Sequence, residues 1–229
     1  MRELEADLRD GARQLFLDLS DVQVGRLLDY LDLIGKWNKV YNLTAVRDPQ
    51  EMLTHHLLDS LAAVRPLQRW SAENRSQSPA ALLDVGSGGG LPGVVFAICC
   101  PDIKVDCVDT VAKKAAFVQQ TAVTLGLENL RSLHNRVENL SASYDVVSSR
   151  AFASLEDFTA WSGAALSRGG EGSDNATDGP GVWLAMKGKH PADEIAALPT
   201  SVEVFHVEPL QVPGLDAERC VVWLRQKFT

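Results

Sequence analysis

Leu82-Leu83-Asp84-Val85 runs into Gly86-Ser87-Gly88-Gly89-Gly90-Leu91-Pro92-Gly93, an apolar strand that breaks into a glycine-dense turn with a proline placed to open a helix. Strand, turn and helix signals in that order constrain the chain to a parallel α/β unit. A glycine turn at the carboxyl end of a parallel strand lets backbone N–H groups approach a nucleotide-like ligand. Pro92 suits the first turn of the following helix, whose free N–H groups and dipole help define the pocket. The spacing carries two ligand readings. Asp84-x-Gly86-x-Gly88-x-Gly90 is the acid-plus-glycines pattern of S-adenosylmethionine pockets, and Gly88-x-Gly90-x-x-Gly93 also satisfies the dinucleotide fingerprint. A plain glycine-rich surface turn does not account for the order of the flanking signals.

From Leu82 onward, strand and helix alternate as in a doubly wound sheet. Lys104 to Asp109 reads as a second strand ending in an acid about 20 residues after the loop, where ribose hydroxyls are bound in such folds. Asp109 is therefore the ribose candidate. Helix follows from Val111 to Gly126, strand near Leu130 to Leu133 and over Tyr144 to Ser148, helix near Leu155 to Leu166, and strand over Val182 to Met186 with a β-rich tail. The stretch from Arg168 to Gly181 is too rich in Gly, Ser, Asp and Asn to pack. Ahead of the loop the chain reads as helical. Leu4, Leu8, Ala12, Leu15 and Leu19 fall near one stripe, and Ser20-x-x-Gln23 is a capping box opening a helix that carries Val24, Leu27, Leu28, Leu31 and Ile34. Asp48-Pro49 is an N-cap with proline at N1, opening further helix through Leu57, Leu58 and Leu61. The predicted organisation is a helical extension over residues 1–70 packed on the core, a polar link over 71–81 and an α/β domain over 82–229.

With 229 residues and 45% hydrophobic content, the chain can bury a full core without covalent staples. No apolar run approaches the roughly 18 residues of a membrane span, and Met1-Arg2-Glu3-Leu4-Glu5 lacks a basic-then-apolar leader, so a cytoplasmic location is expected. Cys99, Cys100, Cys107 and Cys220 show neither C-x-x-C nor Cys/His ligand spacing, which predicts buried free thiols and no metal. The formal charge of −8 argues against a broad electrostatic binder of nucleic acid and leaves room for a local basic face. Between Lys36 and Arg69, the cations Lys36, Lys39, Arg47, Arg65 and Arg69 outnumber Asp48, Glu51 and Asp59. The same charges also fit an ordinary solvated face.

Ser148-Ser149-Arg150-Ala151-Phe152 completes a set of motifs. Together with Trp37-Asn38-Lys39-Val40-Tyr41-Asn42-Leu43-Thr44, His56-Leu57-Leu58-Asp59-Ser60, the glycine loop and Met186-Lys187-Gly188, it resembles the glucose-inhibited division protein B family, the small-subunit ribosomal RNA guanine-N7 methyltransferases. The resemblance covers nearly the whole chain, including Asp193 to Pro199 and Leu210-Gln211-Val212-Pro213. It implies a doubly wound, Rossmann-like, class I S-adenosylmethionine-dependent methyltransferase fold with an N-terminal helical cap. It also implies S-adenosyl-L-methionine bound through Gly86 and Leu91 of the loop, where Gly88 belongs to the same pattern, through Val137 and Glu138, and through Arg150. The implied substrate and partner is 16S ribosomal RNA, within the small ribosomal subunit or an assembly intermediate. His55 departs from the family's usual basic residue, and the stretch from Gly169 to Gly181 is longer than usual; neither touches the motifs.

The residues can be weighed against this chemistry directly. Adenine amino-methyltransferases carry an Asp/Asn-Pro-Pro-aromatic motif after the fourth strand, and cytosine-C5 enzymes need a cysteine near a proline; Ser148 to Phe152 offers neither. Guanine N7 already bears a lone pair and no proton, so displacement on a sulfonium methyl needs no general base. Alignment and exclusion of water then supply the rate, worth roughly 7–11 kcal/mol in well-oriented systems. N7 lies on the major-groove edge, which is too deep and narrow in A-form RNA for side chains to read, so the target must be looped or flipped out. Arg150 is the positioning candidate, either facing a ligand from a strand's carboxyl end or pairing with an acid. Glu138 reads as pocket wall or helix-start acid, His56 as a structural histidine, Phe152 as a base-stacking or core ring, and Lys187 as a phosphate contact or a solvated strand end. Lys36, Lys39, Arg47, His56 and Lys187 make up the candidate RNA-binding set, while Trp37 and Tyr41 tie cap to sheet. An NAD-dependent dehydrogenase and a catalytically silent RNA-binding assembly factor stand as alternatives. Against the dehydrogenase, Asp84 sits oddly at the loop's entrance and no hydride-transfer constellation is present.

Overall fold

Period-2 burial in the strands decides the architecture. In the computed structural model, which describes residues 2–75, 80–168 and 179–227, Leu82 of β1 (Ala81–Val85) faces one apolar cluster while Leu83 and Val85 face another. A sheet buried on both faces needs helices on both sides. The other strands are β2 (Lys104–Asp109), β3 (Leu130–His134), β4 (Val146–Arg150), β5 (Val182–Lys187), β6 (Val202–Leu210) and β7 (Arg219–Gln226). Their order is β3-β2-β1-β4-β5-β7-β6. The pairs among β1 to β5 are parallel, and β7 runs antiparallel to both neighbours. The order reverses between β1 and β4, whose register pairs Val85 with Ser149. A crevice therefore opens outside the carboxyl ends of these two strands.

The first cluster continues into the N-terminal helices. α1 (Arg2–Gln14) buries Leu8 and Ala12, and α2 (Asp21–Tyr41) buries Val24, Leu27, Tyr30, Leu31 and Ile34 in the same cluster as Leu82, Val105 and Trp223. The predicted capping box opens α2: Gln23 N donates to Ser20 Oγ at 3.2 Å, and Ser20 N donates to Gln23 Oε1 at 3.0 Å. Gln23 Nε2 also donates to the carbonyls of Ile98 and Cys99 at the end of α6 (Gly93–Cys99), so one side chain both caps its helix and docks it. Trp37 meets Phe117 of α7 (Ala112–Leu125) edge-on at 5.3 Å. That helix, rather than the sheet itself, is what Trp37 ties down; Tyr41 packs on Trp37 at 5.0 Å and stays partly exposed. α5 (Val64–Asn74) reaches the sheet directly through Trp70, stacked on Trp223 at 6.3 Å. On the opposite face lie α8 (Leu155–Ser162) and the short α9 (Ala192–Ala196).

Several boundaries differ from the sequence reading for identifiable reasons. Asp48 caps α3 (Pro49–Met52) as expected, with Oδ1 accepting from Gln50 N and Glu51 N. The helix then widens into a π-helical turn over Leu53–Leu58 before α4 (Asp59–Leu61), which no periodicity announces. α5 continues through Asn74, into the stretch read as a link, because Trp70 is buried and Asn74 Nδ2 donates to its carbonyl at 2.8 Å. Pro92 occupies the N-cap of α6 rather than its first turn. Tyr144, read as the start of the fourth strand, makes only an isolated bridge to Leu166. α8 ends at Ser162 and passes into a 3-10 turn over Gly163–Ala165. Most of the polar stretch from Arg168 to Gly181, residues 169–178, and the acidic segment within it lie outside the described residues. Among the described residues no helix is long and apolar enough to cross a membrane. All four cysteines are free and buried.

One cap residue touches the glycine loop itself. Tyr30, fully buried, donates from its hydroxyl to Gly89 O at 2.5 Å, and burial raises its phenol well above the usual value. Tyr30→Phe should lower stability by about 1 kcal/mol, the net worth of one intramolecular hydrogen bond, with the core packing kept. Urea unfolding checks this: an unchanged midpoint would mean that the hydroxyl contributes nothing to loop placement.

Candidate active site at the carboxyl end of the sheet

Asp84 explains why an acid precedes the loop. Its carboxylate is fully buried, accepting from Ser148 Oγ of β4 at 2.9 Å and from Gly93 N of α6 at 3.0 Å. Burial pushes its pKa up to about 7. The group therefore ties β1, β4 and α6 together and does not reach a ligand. Gly93 is glycine because a Cβ there would strike Cys107 Sγ and crowd Asp84. Gly90, at φ +85°, leaves no room beside Val94. In the Gly88-x-Gly90-x-x-Gly93 spacing the middle glycine is the one that would admit a pyrophosphate, and here Val94, Tyr30 and Val118 close around it, which weighs against a dinucleotide.

Gly88 and Gly89 behave differently. A Cβ on Gly88 (φ +59°) would meet only Gly86 O, at 3.9 Å, and one on Gly89 would meet nothing within 4 Å. Their outer surface is an open cradle. Gly88 N donates to Asp109 Oδ2 at 3.0 Å, and Val111 N donates to Asp109 Oδ1 at 2.8 Å. Asp109 thereby fixes the loop to the end of β2 while lining the adjacent cleft.

Two clefts flank this cradle. The β2 cleft, about 440 Å³, is lined by Asp109, Val137, Glu138, Phe152 and Trp161 among others. Val137 and Glu138 lie on a 3-10 turn (Val137–Asn139), with Val137 buried and Glu138 exposed. The cap cleft, about 500 Å³, lies between the loop residues Gly86, Ser87, Gly88, Gly89 and Leu91 and the cap residues Ile34, Leu43, Thr44, His55, His56 and Asp59. Gly86 and Ala151 line both. Ala151 holds φ +51°, unusual for a residue with a Cβ, and it sits at the junction of the two spaces. Phe152, next in sequence, packs edge-on against Phe158 and Trp161 and covers Gly86.

The cap cleft's polar wall is organised by Asp59. One carboxylate oxygen accepts from Arg150 Nη1 at 2.7 Å, the other from Arg219 Nε at 2.8 Å. Arg150 Nη1 also donates to the carbonyl of His55, within the π-helical turn, at 2.9 Å. Arg150 thus pairs with an acid, and it also lines the cleft. Asp59 and Arg219 were not singled out from the sequence, although Asp59 lies in the His56 to Ser60 motif.

His56 is buried, its Nε2 2.9 Å from Thr44 Oγ1. Burial, reinforced by the Arg150 charge, lowers its pKa to about 4. It is a neutral structural imidazole in the cleft wall. Lys187 lines the cap cleft, and its Nζ donates to Ala153 O at 2.8 Å and to Glu194 Oε2 at 2.7 Å. Glu194 Oε2 also accepts from Leu155 N, so this pair anchors the start of α8. Lys36, Lys39 and Arg47 are not among the residues lining the cleft; Lys36 pairs with Asp32, Lys39 is exposed, and Arg47 Nη2 donates to Asn42 Oδ1 at 3.2 Å. Among the described residues no group of three or more His, Cys, Asp or Glu side chains could hold a metal ion.

The set suits a nucleoside: an open glycine cradle on one cleft and, on the cleft that shares its Gly86 wall, the acids Asp109 and Glu138 with Lys114 and Arg136. Comparison with known proteins agrees with this chemistry. Residues 23–222 match the family model described as rRNA small subunit methyltransferase G. The chain is 64% identical over 227 residues to a protein of Polaromonas sp. strain JS666 named ribosomal RNA small subunit methyltransferase G, covering 99% of this chain and 96% of that one. A protein of the same name from Acidovorax sp. strain JS42 is 67% identical over 225 residues, covering 96% and 95%. Among solved structures, TrmN from Thermus thermophilus superposes with a TM-score of 0.52 at 18% identity, over 76% of this chain and 53% of that one. An S-adenosylmethionine-dependent methyltransferase from Aquifex aeolicus gives 0.50 at 13% identity, over 77% and 97%. The fold is thus the Rossmann-like fold of S-adenosylmethionine-dependent methyltransferases.

Gly86 sits at φ +64°, and its missing Cβ is replaced by the Phe152 ring rather than by ligand space. Gly86→Val should therefore lower both thermal stability and affinity for S-adenosylhomocysteine, and adding Phe152→Ala should recover part of each. Calorimetric titration of the single and double variants checks the coupling; strictly additive losses would contradict it. Asp109→Ala should weaken the same ligand by about 1–3 kcal/mol, and unchanged affinity would remove Asp109 from the site.

Proposed function

The chain belongs to the rRNA small subunit methyltransferase G family, and we propose from that premise that it methylates N7 of a guanine in 16S ribosomal RNA, with S-adenosyl-L-methionine as methyl donor. The observation that carries the reading is the wall at Gly86 and Ala151, shared by a cleft that holds Asp109 and Glu138 and one walled by a helical cap and Arg150. The coarser statement, S-adenosylmethionine-dependent methylation of small-subunit ribosomal RNA, rests on the family. The guanine N7 assignment is supported by a cap cleft in which Asp59 is paired with two arginines and burial lowers the pKa of His56 to about 4.

When bound, S-adenosylmethionine supplies an electrophilic methyl group on a sulfonium. Gly86, Gly88, Leu91, Asp109, Val137 and Glu138 would hold it, with Asp109 taking the ribose hydroxyls. Arg150 is the positioning residue. Its Nη1 is committed to Asp59 and His55, while its Nε and Nη2 have no hydrogen-bond partner among the described residues. That free edge can orient the target base by accepting no proton and donating two hydrogen bonds. His56, with its pKa near 4 and Nε2 against Thr44, is a poor base at neutral pH. A guanine N7 loses no proton on methylation, so the cleft's task reduces to alignment and exclusion of water. The cap supplies the exclusion, since Leu43, Thr44 and His56 face the loop across the cleft.

The protein works on ribosomal RNA in the cytoplasm, within the small subunit or an assembly intermediate. A chain of net charge −8 binds bare RNA weakly and depends on a folded substrate that presents the base.

Single-turnover transfer to small ribosomal subunits should be nearly flat between pH 6 and 8, the range in which an ordinary histidine titrates. His56→Ala should leave that profile flat, whereas Arg150→Ala should lower the rate by about tenfold or more. A rate falling tenfold per pH unit below about 6.5, abolished by His55→Ala or His56→Ala, would reveal a catalytic base and overturn the N7 assignment.

A further inference from the structure

A third cleft, about 660 Å³, borders the cap cleft between the end of β5 and the segment joining β6 to β7. It shares Gly188 and Arg219 with the cap cleft, just as the β2 cleft shares Gly86 and Ala151. The cap cleft thus borders both of the others. Leu210 and Leu215 give the third cleft an apolar floor, His190 and Gln211 give it polar edges, and Ala217 stands exposed on its rim.

If the β2 cleft receives the donor's nucleoside, a guanine in the cap cleft must remain joined to its neighbours through another opening. Arg219 lines both the cap cleft and the third cleft. Its Nε is held by Asp59 at 2.8 Å and its Nη1 donates to Glu218 O at 2.8 Å, which leaves Nη2 without a partner among the described residues. A guanidinium fixed on two sides is a preorganised donor to a phosphate oxygen. Lys187, the other cation here, is already occupied by Glu194. Asp216 and Glu218 on the rim oppose further phosphates and instead suit the amino groups of a base edge.

Resting on the proposed function, we propose that Arg219, held by Asp59, binds the phosphodiester linking the target guanine to a neighbouring nucleotide whose base lies unstacked in the third cleft. Arg219 is thus a substrate-binding residue and Asp59 its positioning residue.

The test uses methyl transfer to small ribosomal subunits purified from cells lacking this protein, with binding of S-adenosylhomocysteine measured in parallel. Arg219→Gln should raise KM for the subunit about tenfold or more, leave cofactor affinity within about twofold, and lower the slope of log KM against log salt by about 0.7, the signature of one lost single-strand phosphate contact. Arg219→Lys should keep that slope. Ala217→Trp, which fills the rim, should raise KM without altering the slope. An unchanged slope in Arg219→Gln, or an unchanged KM in Ala217→Trp, overturns the proposal. Should Arg219→Gln fail to fold, the Arg219→Lys slope and the Ala217→Trp KM decide it. If the wild-type protein does not methylate subunits at all, the proposed function has failed instead.

Discussion

Asp59 is the point through which the cap, the parallel sheet and its antiparallel extension meet. Its side chain is 6% exposed, between guanidiniums from β4 and β7. A buried carboxylate alone would be strongly disfavoured, and two adjacent guanidiniums alone would repel each other. Together they satisfy one another, and Nη2 of each arginine has no hydrogen-bond partner among the described residues. The π-helical turn before Asp59 adds a third constraint, because the His55 carbonyl accepts from the same Arg150 nitrogen that reaches Asp59. Geometry at the cleft is therefore set by a charge network, while the surrounding apolar cluster supplies the stability.

The glycine loop is held in a comparable way from below and above. Asp84 ties its two ends to β4 and α6 from within the core, and Asp109 fixes Gly88 from β2. Tyr30 reaches Gly89 from the cap. A loop with this many glycines has high conformational freedom in the unfolded chain, and these contacts are what confine it to one shape. Rigid placement serves the chemistry inferred for the site, in which alignment rather than proton transfer carries the rate.

Legibility from sequence followed the range of the interactions. The capping box at Ser20, the N-cap at Asp48, the strands and the loop are local patterns, and each was readable within a few residues. Asp59 and Arg219 lie 160 positions apart, so no spacing could join them. Arg150 was legible as a site residue because it ends a strand at the sheet's reversal point, but its partner was not. The left-handed backbone at Ala151 had no glycine or asparagine to announce it. Lys187 is a further case: the cation after an apolar strand is legible, while its ion pair with Glu194, seven residues later, is not. The link beginning at Ser71 was misread because polar composition outweighed Trp70, whose burial keeps the helix going.

The claim that unites these observations is that a cap and a glycine loop hold one guanine of small-subunit ribosomal RNA with N7 toward a methyl donor. Chemical cleavage at N7-methylguanine, mapped along that RNA from otherwise identical cells with and without this protein, tests it most directly. The account predicts one cleavage site that is present with the protein and lost without it. An unchanged N7 pattern, or a methyl group gained instead on an exocyclic amine or a ribose, would contradict it.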